Sequence, residues 1–311
     1  MDLILKSLVP LVFVILLGLF AGWRKIIDPK FSTHLATYIM NFSFPCLLLV
    51  KTATSDIDDL INYRFMAGIT LGLMGMYLLM FIVNRCIYRR VVSHSCQAAF
   101  VSSFPNMAFM GIPVFTVLFG EQSLVAIVLG NIVTSLFMIP ITISILELSQ
   151  DSQVKTDILA MVLKVFKKPL VLAPLCGFII AVLNLKLPTL AVDSLKMIGS
   201  TTSGIALFTV GLIISAEKVH FNRFVISNVF FKNLIHPIIM WGIVLALGIE
   251  GNWGKEAILL CAMPSAVTTT IFAIKYNMLK AESSSCIVLG VAVSLLSTAL
   301  TMYLLGIGAP V

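Results

Sequence analysis

Two proline-centred tetrapeptides stand in otherwise apolar surroundings, SFPN at 103–106 and AMPS at 262–265. Inside a helix a proline removes one N–H donor, frees the carbonyl one turn earlier and costs roughly 3 kcal/mol or more. Each proline, Pro105 and Pro264, is followed at once by a residue that favours helix N-caps, Asn106 or Ser265. The expected result is two short helices in series, the second starting just after the proline. A helix N-terminus carries unpaired N–H groups and about half a positive charge. Two of them brought together would hold an anion without a buried cation. The two facing C-termini would present carbonyls and suit a cation instead, and spacing alone does not choose. Gly111 and Pro113 extend the irregularity beyond Pro105. Gly111 equally suits a close helix contact.

Three further polar residues sit deep in apolar runs. Asn41 lies in YIMNFSFPCLL and Asn131 in LGNIVTS. Each would either touch a ligand or cap neighbouring backbone. Lys232 lies in FFKNLIHP (230–237) with Asn233 and His236. A lysine inside a membrane is costly and points to function. It would offset an anionic ligand or donate to the carbonyls that a break frees; the alternative is snorkelling to the surface. Lys196, near Asp193, reads as one half of an interfacial pair.

The elements that position these residues follow from composition. The chain has 311 residues, 59% apolar and 11% charged, with a mean hydropathy of +1.06. Soluble domains carry roughly 25% charged residues, so the solvent here is lipid. A spanning helix needs about 20 mostly apolar residues. Ten candidate spans result, at about 3–23, 31–51, 64–84, 94–119, 122–146, 168–186, 190–216, 222–248, 255–277 and 283–308. The first is too long for a signal-peptide core, lacks a small-x-small cleavage site and reads as a span. The six cysteines, 46, 86, 96, 176, 261 and 286, show no paired spacing, so neither a disulfide framework nor a zinc site is indicated.

The net charge of +7 reads as orientation rather than nucleic-acid binding. With the N-terminus outside, fourteen Lys and Arg fall in inner loops, from Arg24 to Lys280, and five outside (Lys6, Lys51, Arg64, Lys186, Lys255). Inner loops collect such charge, so both termini are expected outside a cell membrane.

The chain divides at its longest link, 147–167, whose apolar residues recur at helical spacing between lysines. That suits either a short helix lying on the inner surface or a plain basic linker. The repeats would be 1–146 and 168–311. IVLGNIVTSL (127–136) matches IVLGVAVSLL (287–296), and Pro105 and Pro264 precede Gly130 and Gly290 by 25 and 26 residues. Five spans per half means that the second repeat enters upside down. Inverted repeats with breaks at matching places point to a secondary transporter and to its binding site. The central parts of spans three to five and eight to ten hold no Asp or Glu, as carboxylate-driven proton or sodium exchange would need. No phosphate loop, HExxH or GxSxG motif is present, so no enzyme, cofactor or metal is expected.

Six stretches in order resemble the auxin efflux carrier family, which comprises the plant PIN-formed transporters and bacterial malate and malonate permease-like relatives. They are NFSFPCLLL (41–49), SFPNMAFMGIPV (103–114), FKKPLVLAPLCGFIIAVLNLKLP (166–188), SGIALFTVGLIIS (203–215), FFKNLIHP (230–237) and CAMPSAVTTTIFAIKYN (261–277). The resemblance implies the fold of bile-acid symporters and sodium/proton antiporters. Spans one, two, six and seven would form a scaffold and a homodimer interface. Spans three to five and eight to ten would form a moving transport domain, with substrate at the crossing of spans four and nine. The short link between halves is similar to that of the prokaryotic permeases rather than the plant exporters.

The resulting expectation is an all-α membrane protein of ten spans. It would carry a small organic anion, a dicarboxylate such as malonate or malate, by elevator-type alternating access, with sodium or proton coupling open. The site would comprise Pro105, Asn106, Gly111, Pro264, Ser265, Lys232, Asn41 and Asn131. The alternatives are a sodium-coupled symporter of bile-acid type and, from another class, a non-transporting sensor or scaffold.

Overall fold

In hydrocarbon a backbone must satisfy its own hydrogen bonds, and a single segment does so only as a helix. Helix is accordingly the regular structure throughout the described residues. The computed structural model describes residues 2–54, 62–149, 167, 169–216 and 219–307. The link expected to lie on the inner surface falls mostly outside them.

The helices are α1 (Asp2–Trp23), α2 (Pro29–Ala53), α3 (Tyr63–Ile87), α4 (Val92–Ser103), α5 (Met107–Phe119), α6 (Glu121–Leu148), α7 (Pro169–Val182), α8 (Thr189–Ala216), α9 (Arg223–Leu247), α10 (Gly251–Ala262), α11 (Thr268–Lys275) and α12 (Lys280–Leu304). Six of them, α2, α3, α6, α8, α9 and α12, are long and apolar enough to cross a membrane. The expectation of ten spans is therefore met in this direct form by six. The expected span 94–119 is two helices, α4 and α5, and the expected span 255–277 is two more, α10 and α11. At 1.5 Å rise per residue neither half of a broken pair reaches across a bilayer of about 30 Å.

Four helices widen by one residue per turn at Ile39–Ser43, Val83–Ile87, Thr134–Met138 and Phe231–Ile235, and α5 opens with such a turn at Met107–Gly111. Four of these five π turns end two residues before a proline: Pro45, Pro113, Pro140 or Pro237. The proline ring clashes with the carbonyl four residues back, and the wider turn moves that carbonyl aside.

α1 packs along α8, and α2 along α7. Glycine makes the first contact possible, since a Cβ on Gly211 of α8 would lie 2.0 Å from the Ile15 carbonyl oxygen of α1. α3 packs against α4 and α9, and α9 against α10 and α12. Gly130 and Gly290, which follow Pro105 and Pro264 at nearly equal distances, each pack at the break that precedes them. A Cβ on Gly130 would meet Met107, and one on Gly290 would meet Pro264. The outward faces are apolar, with Phe13, Trp23, Leu190, Met197, Leu296 and Tyr303 all exposed. All six cysteines are free thiols.

Candidate functional site: the crossing of two broken helices

The breaks after α4 and α10 meet. Asn106 donates its backbone N–H to the Pro264 carbonyl at 2.8 Å, and Ala266 donates to the Phe104 carbonyl at 2.9 Å. Pro105 and Ser265 thus face each other in an antiparallel bridge one residue long. In an unbroken helix the Val101 carbonyl would accept from residue 105, which as proline has no N–H. The Ser265 hydroxyl takes that place, donating to Val101 at 2.7 Å. The Cys261 carbonyl at the end of α10 is met by Lys232 Nζ at 2.8 Å. Both carbonyls are satisfied by a distant side chain, Ser265 or Lys232, as burial demands.

Asn106 behaves as its sequence position predicts. Its Oδ1 accepts from the Phe109 N–H at 3.2 Å and caps α5. Ser265 does not. α11 starts three residues later, at Thr268, after Val267, which makes no side-chain cap. The expected Ser265 cap is therefore corrected: the hydroxyl is drawn across the crossing to the carbonyl that Pro105 leaves bare. Ser265→Ala should cost about 1–3 kcal/mol, the penalty for a buried unpaired carbonyl. The check is the thermal midpoint in detergent, and an unchanged midpoint would show that Val101 finds another donor.

A cavity of about 290 Å³ opens against the bridge. Both half-helix N-termini reach it, α5 through Asn106 to Phe109 and α11 through Ala266 to Thr268. α2 contributes Asn41, and α6 contributes Asn131 and Ser135. Its remaining lining is apolar, from Met40, Phe104, Met107, Ile139 and others, and no charged side chain lines it among the described residues. Asn41 and Asn131 each donate one amide hydrogen to the carbonyl four residues back, at 2.9 Å in both cases. Each therefore binds its own backbone, one of the two roles the sequence left open, and also lines the cavity. Asn106 is 1% exposed, and its Nδ2 has no partner among the described residues. Because Oδ1 is held by the Phe109 N–H, the group left over is the NH₂, a donor of two hydrogens. Donors at two helix N-termini, in a mostly apolar cavity with no charged side chain among the described residues, suit an anionic oxygen.

The structure thus brings Pro105, Asn106, Asn41 and Asn131 together around one cavity. Pro264 and Ser265 belong to the bridge behind it. Gly111 lies off the cavity, where an added Cβ would meet the Ile127 side chain and the Asn106 carbonyl at ordinary contact distance. Lys232 also lies off it, fully buried, with Nζ 3.1 Å from His236 Nδ1. Asp193 and Lys196 make no ion pair among the described residues; Lys196 instead shares a cleft with Lys51 and Glu121, which are paired with each other. Ser135 and Thr268 were missed as lining residues. Pro140 was the available signal for Ser135, since it sits just past the π turn that carries that serine.

The whole chain is similar to known membrane transporters. It matches the family described as membrane transport protein over residues 3–302. The uncharacterised transporter YfdV of Escherichia coli K12 is 22% identical over 275 residues, 87% of this chain and 88% of that one. A candidate malonate transporter of Rhizobium meliloti is 20% identical over 282 residues, 88% and 87% of the two chains. Auxin efflux carrier component 5 of Arabidopsis thaliana is 20% identical over 329 residues, 94% and 93%. The crossing and its cavity lie within the matched region, and the chain belongs to the membrane transport protein family that includes the auxin efflux carriers.

Proposed function

We propose that this transporter carries a small carboxylate across the cell membrane, with the cavity at the crossing as its binding site. One observation carries the reading: Asn106, whose buried Nδ2 has no partner among the described residues, lines a cavity reached by two helix N-termini and lined by no charged side chain among the described residues. A carboxylate would accept from Asn106 and from those N–H groups at the starts of α5 and α11 that remain unpaired, the Met107 and Phe109 N–H groups being already engaged. A dicarboxylate such as malonate or malate is the proposed substrate, and the name of the Rhizobium meliloti relative supports malonate. Against the sodium-symporter alternative stand two occupied carbonyls. Val101 and Cys261, which would help to coordinate a cation at the crossing, already accept from Ser265 and Lys232. Against a non-transporting scaffold stands the family itself.

In the proposed cycle α1, α2, α7 and α8 form the scaffold, and a homodimer forms through it. α3–α6 and α9–α12 carry the cavity past the scaffold as an elevator. The cavity walls support this division, since Met40 and Asn41 come from α2 and Pro169 from α7, while the other lining residues come from α5, α6, α11 and the breaks. We read the chain as ten crossings in two inverted repeats, α4 with α5 and α10 with α11 each making one. Both termini lie outside in this reading. The test is uptake of labelled malonate, malate and indole-acetate into proteoliposomes under imposed sodium, proton or potential gradients. Flux of one of these anions is expected; no organic-anion flux would sink the reading, and sodium dependence would promote the symporter.

A further inference from the structure

We propose that Lys232 is a positioning residue, an internal peg that fixes the end of α10 and, through the bridge, aims Asn106 into the cavity. The proposal rests on the carrier reading for its consequence in transport, but the peg stands on geometry alone. Lys232 is 0% exposed, as are its neighbours Asn233 and His236. The π turn at Phe231–Ile235 carries it, so α9 turns its cation away from lipid and into the protein. Snorkelling to the surface is excluded, because Nζ is spent inside, on the Cys261 carbonyl at 2.8 Å and on His236 Nδ1 at 3.1 Å. A lysine amine donates to a carbonyl, and when protonated it can only donate. His236 then accepts through Nδ1 and keeps its hydrogen on Nε2.

Burying a lysine without a carboxylate is expensive, and no ion pair engages Lys232 among the described residues. What it holds is the Cys261 carbonyl, in the last turn of α10. Three residues on, the Pro264 carbonyl accepts the Asn106 N–H at 2.8 Å. Asn106 in turn caps α5 and lines the cavity, its Nδ2 without a partner among the described residues. A single path of backbone and hydrogen bonds therefore runs from Lys232 Nζ to the proposed anion donor, although Lys232 itself never reaches the cavity. Lys232 occupies the place at a freed carbonyl that a bound cation would otherwise fill.

The experiment uses the full chain in detergent and in proteoliposomes. Lys232→Met, similar in size but without a donor, should raise hydrogen exchange at the Asn106 and Ala266 amides about tenfold or more. It should lower malonate uptake through KM, at unchanged protein yield. Lys232→Ala should show the same exchange, and methylammonium chloride, but not potassium chloride, should restore protection by docking in the vacated space. Lys232→Arg, which keeps a donor, should retain protection and covers the case in which Lys232→Met fails to fold. Wild-type exchange in both Lys232→Met and Lys232→Ala would overturn the proposal, as would methylammonium without effect on Lys232→Ala. A wild-type protein that moves no organic anion would instead overturn the carrier reading and leave the exchange result standing.

Discussion

Asn106→Ala is expected to weaken binding of the carried carboxylate about 10- to 100-fold. The estimate takes one hydrogen bond to a charged group as worth about 1.5–3 kcal/mol and 1.4 kcal/mol as a factor of ten. The variant also loses the cap on Phe109, so some stability goes with it, about 1 kcal/mol. Asn106→Asp separates the two effects. Aspartate keeps an oxygen for the Phe109 N–H and caps as well as asparagine. It replaces the NH₂ by a second acceptor, charged and turned towards the incoming anion. Asn106→Asp should therefore keep the cap, lose some stability to the burial of its charge, and bind worse than Asn106→Ala. Binding measured by calorimetry, beside a thermal melt of each variant, decides the matter. Wild-type affinity in Asn106→Asp would reduce this residue to a helix cap and remove the central support for the proposed site.

Gly211→Ala should be strongly damaging. The added Cβ would lie 2.0 Å from the Ile15 carbonyl oxygen and 2.7 Å from the Leu19 nitrogen, both backbone atoms of α1. No side-chain rotation relieves such an overlap, so α1 and α8 must part. Overpacking costs typically about 1–3 kcal/mol where side chains can adjust, and here they cannot. Gly204→Ala on the same helix is the matched control, since its Cβ would meet nothing within 4 Å. Alanine is the better helix former by roughly 0.5–1 kcal/mol, so Gly204→Ala should be neutral or slightly stabilising. Size-exclusion profiles and melts of the two variants test this directly. Equal behaviour would show that the α1–α8 contact is not close-packed.

Much of the crossing was legible in the sequence, because its causes are local. A proline that removes a donor, followed by a capping residue, marks a break wherever it occurs, and Asn106 caps α5 as its type predicts. Ser265 shows where local rules stop. It has the same position after its proline, yet its hydroxyl goes to Val101, 164 residues away. A long-range acceptor outcompeted the nearby one, and no propensity records that. Lys232 stood between two roles for the same reason. Depth in a span was readable, but which carbonyl it would meet was not. The contact of Gly211 with Ile15 depends on which helices become neighbours, and a small residue in an apolar run does not name its partner. The π turns were more accessible than they first look. Pro45, Pro113, Pro140 and Pro237 announce four of them, and two of those four carry the cavity residues Asn41 and Ser135.

The bridge between the two breaks is made of main-chain atoms alone, from Asn106 to Pro264 and from Ala266 to Phe104. Main-chain bonds ask nothing of the side chains that accompany them. Selection can therefore exchange the residues that face the cavity at 104, 106, 266 and 268 while the junction that holds them persists. A chain built this way separates its joint from its recognition surface. It can drift to a different cargo by a few substitutions without having to reinvent the architecture that moves it.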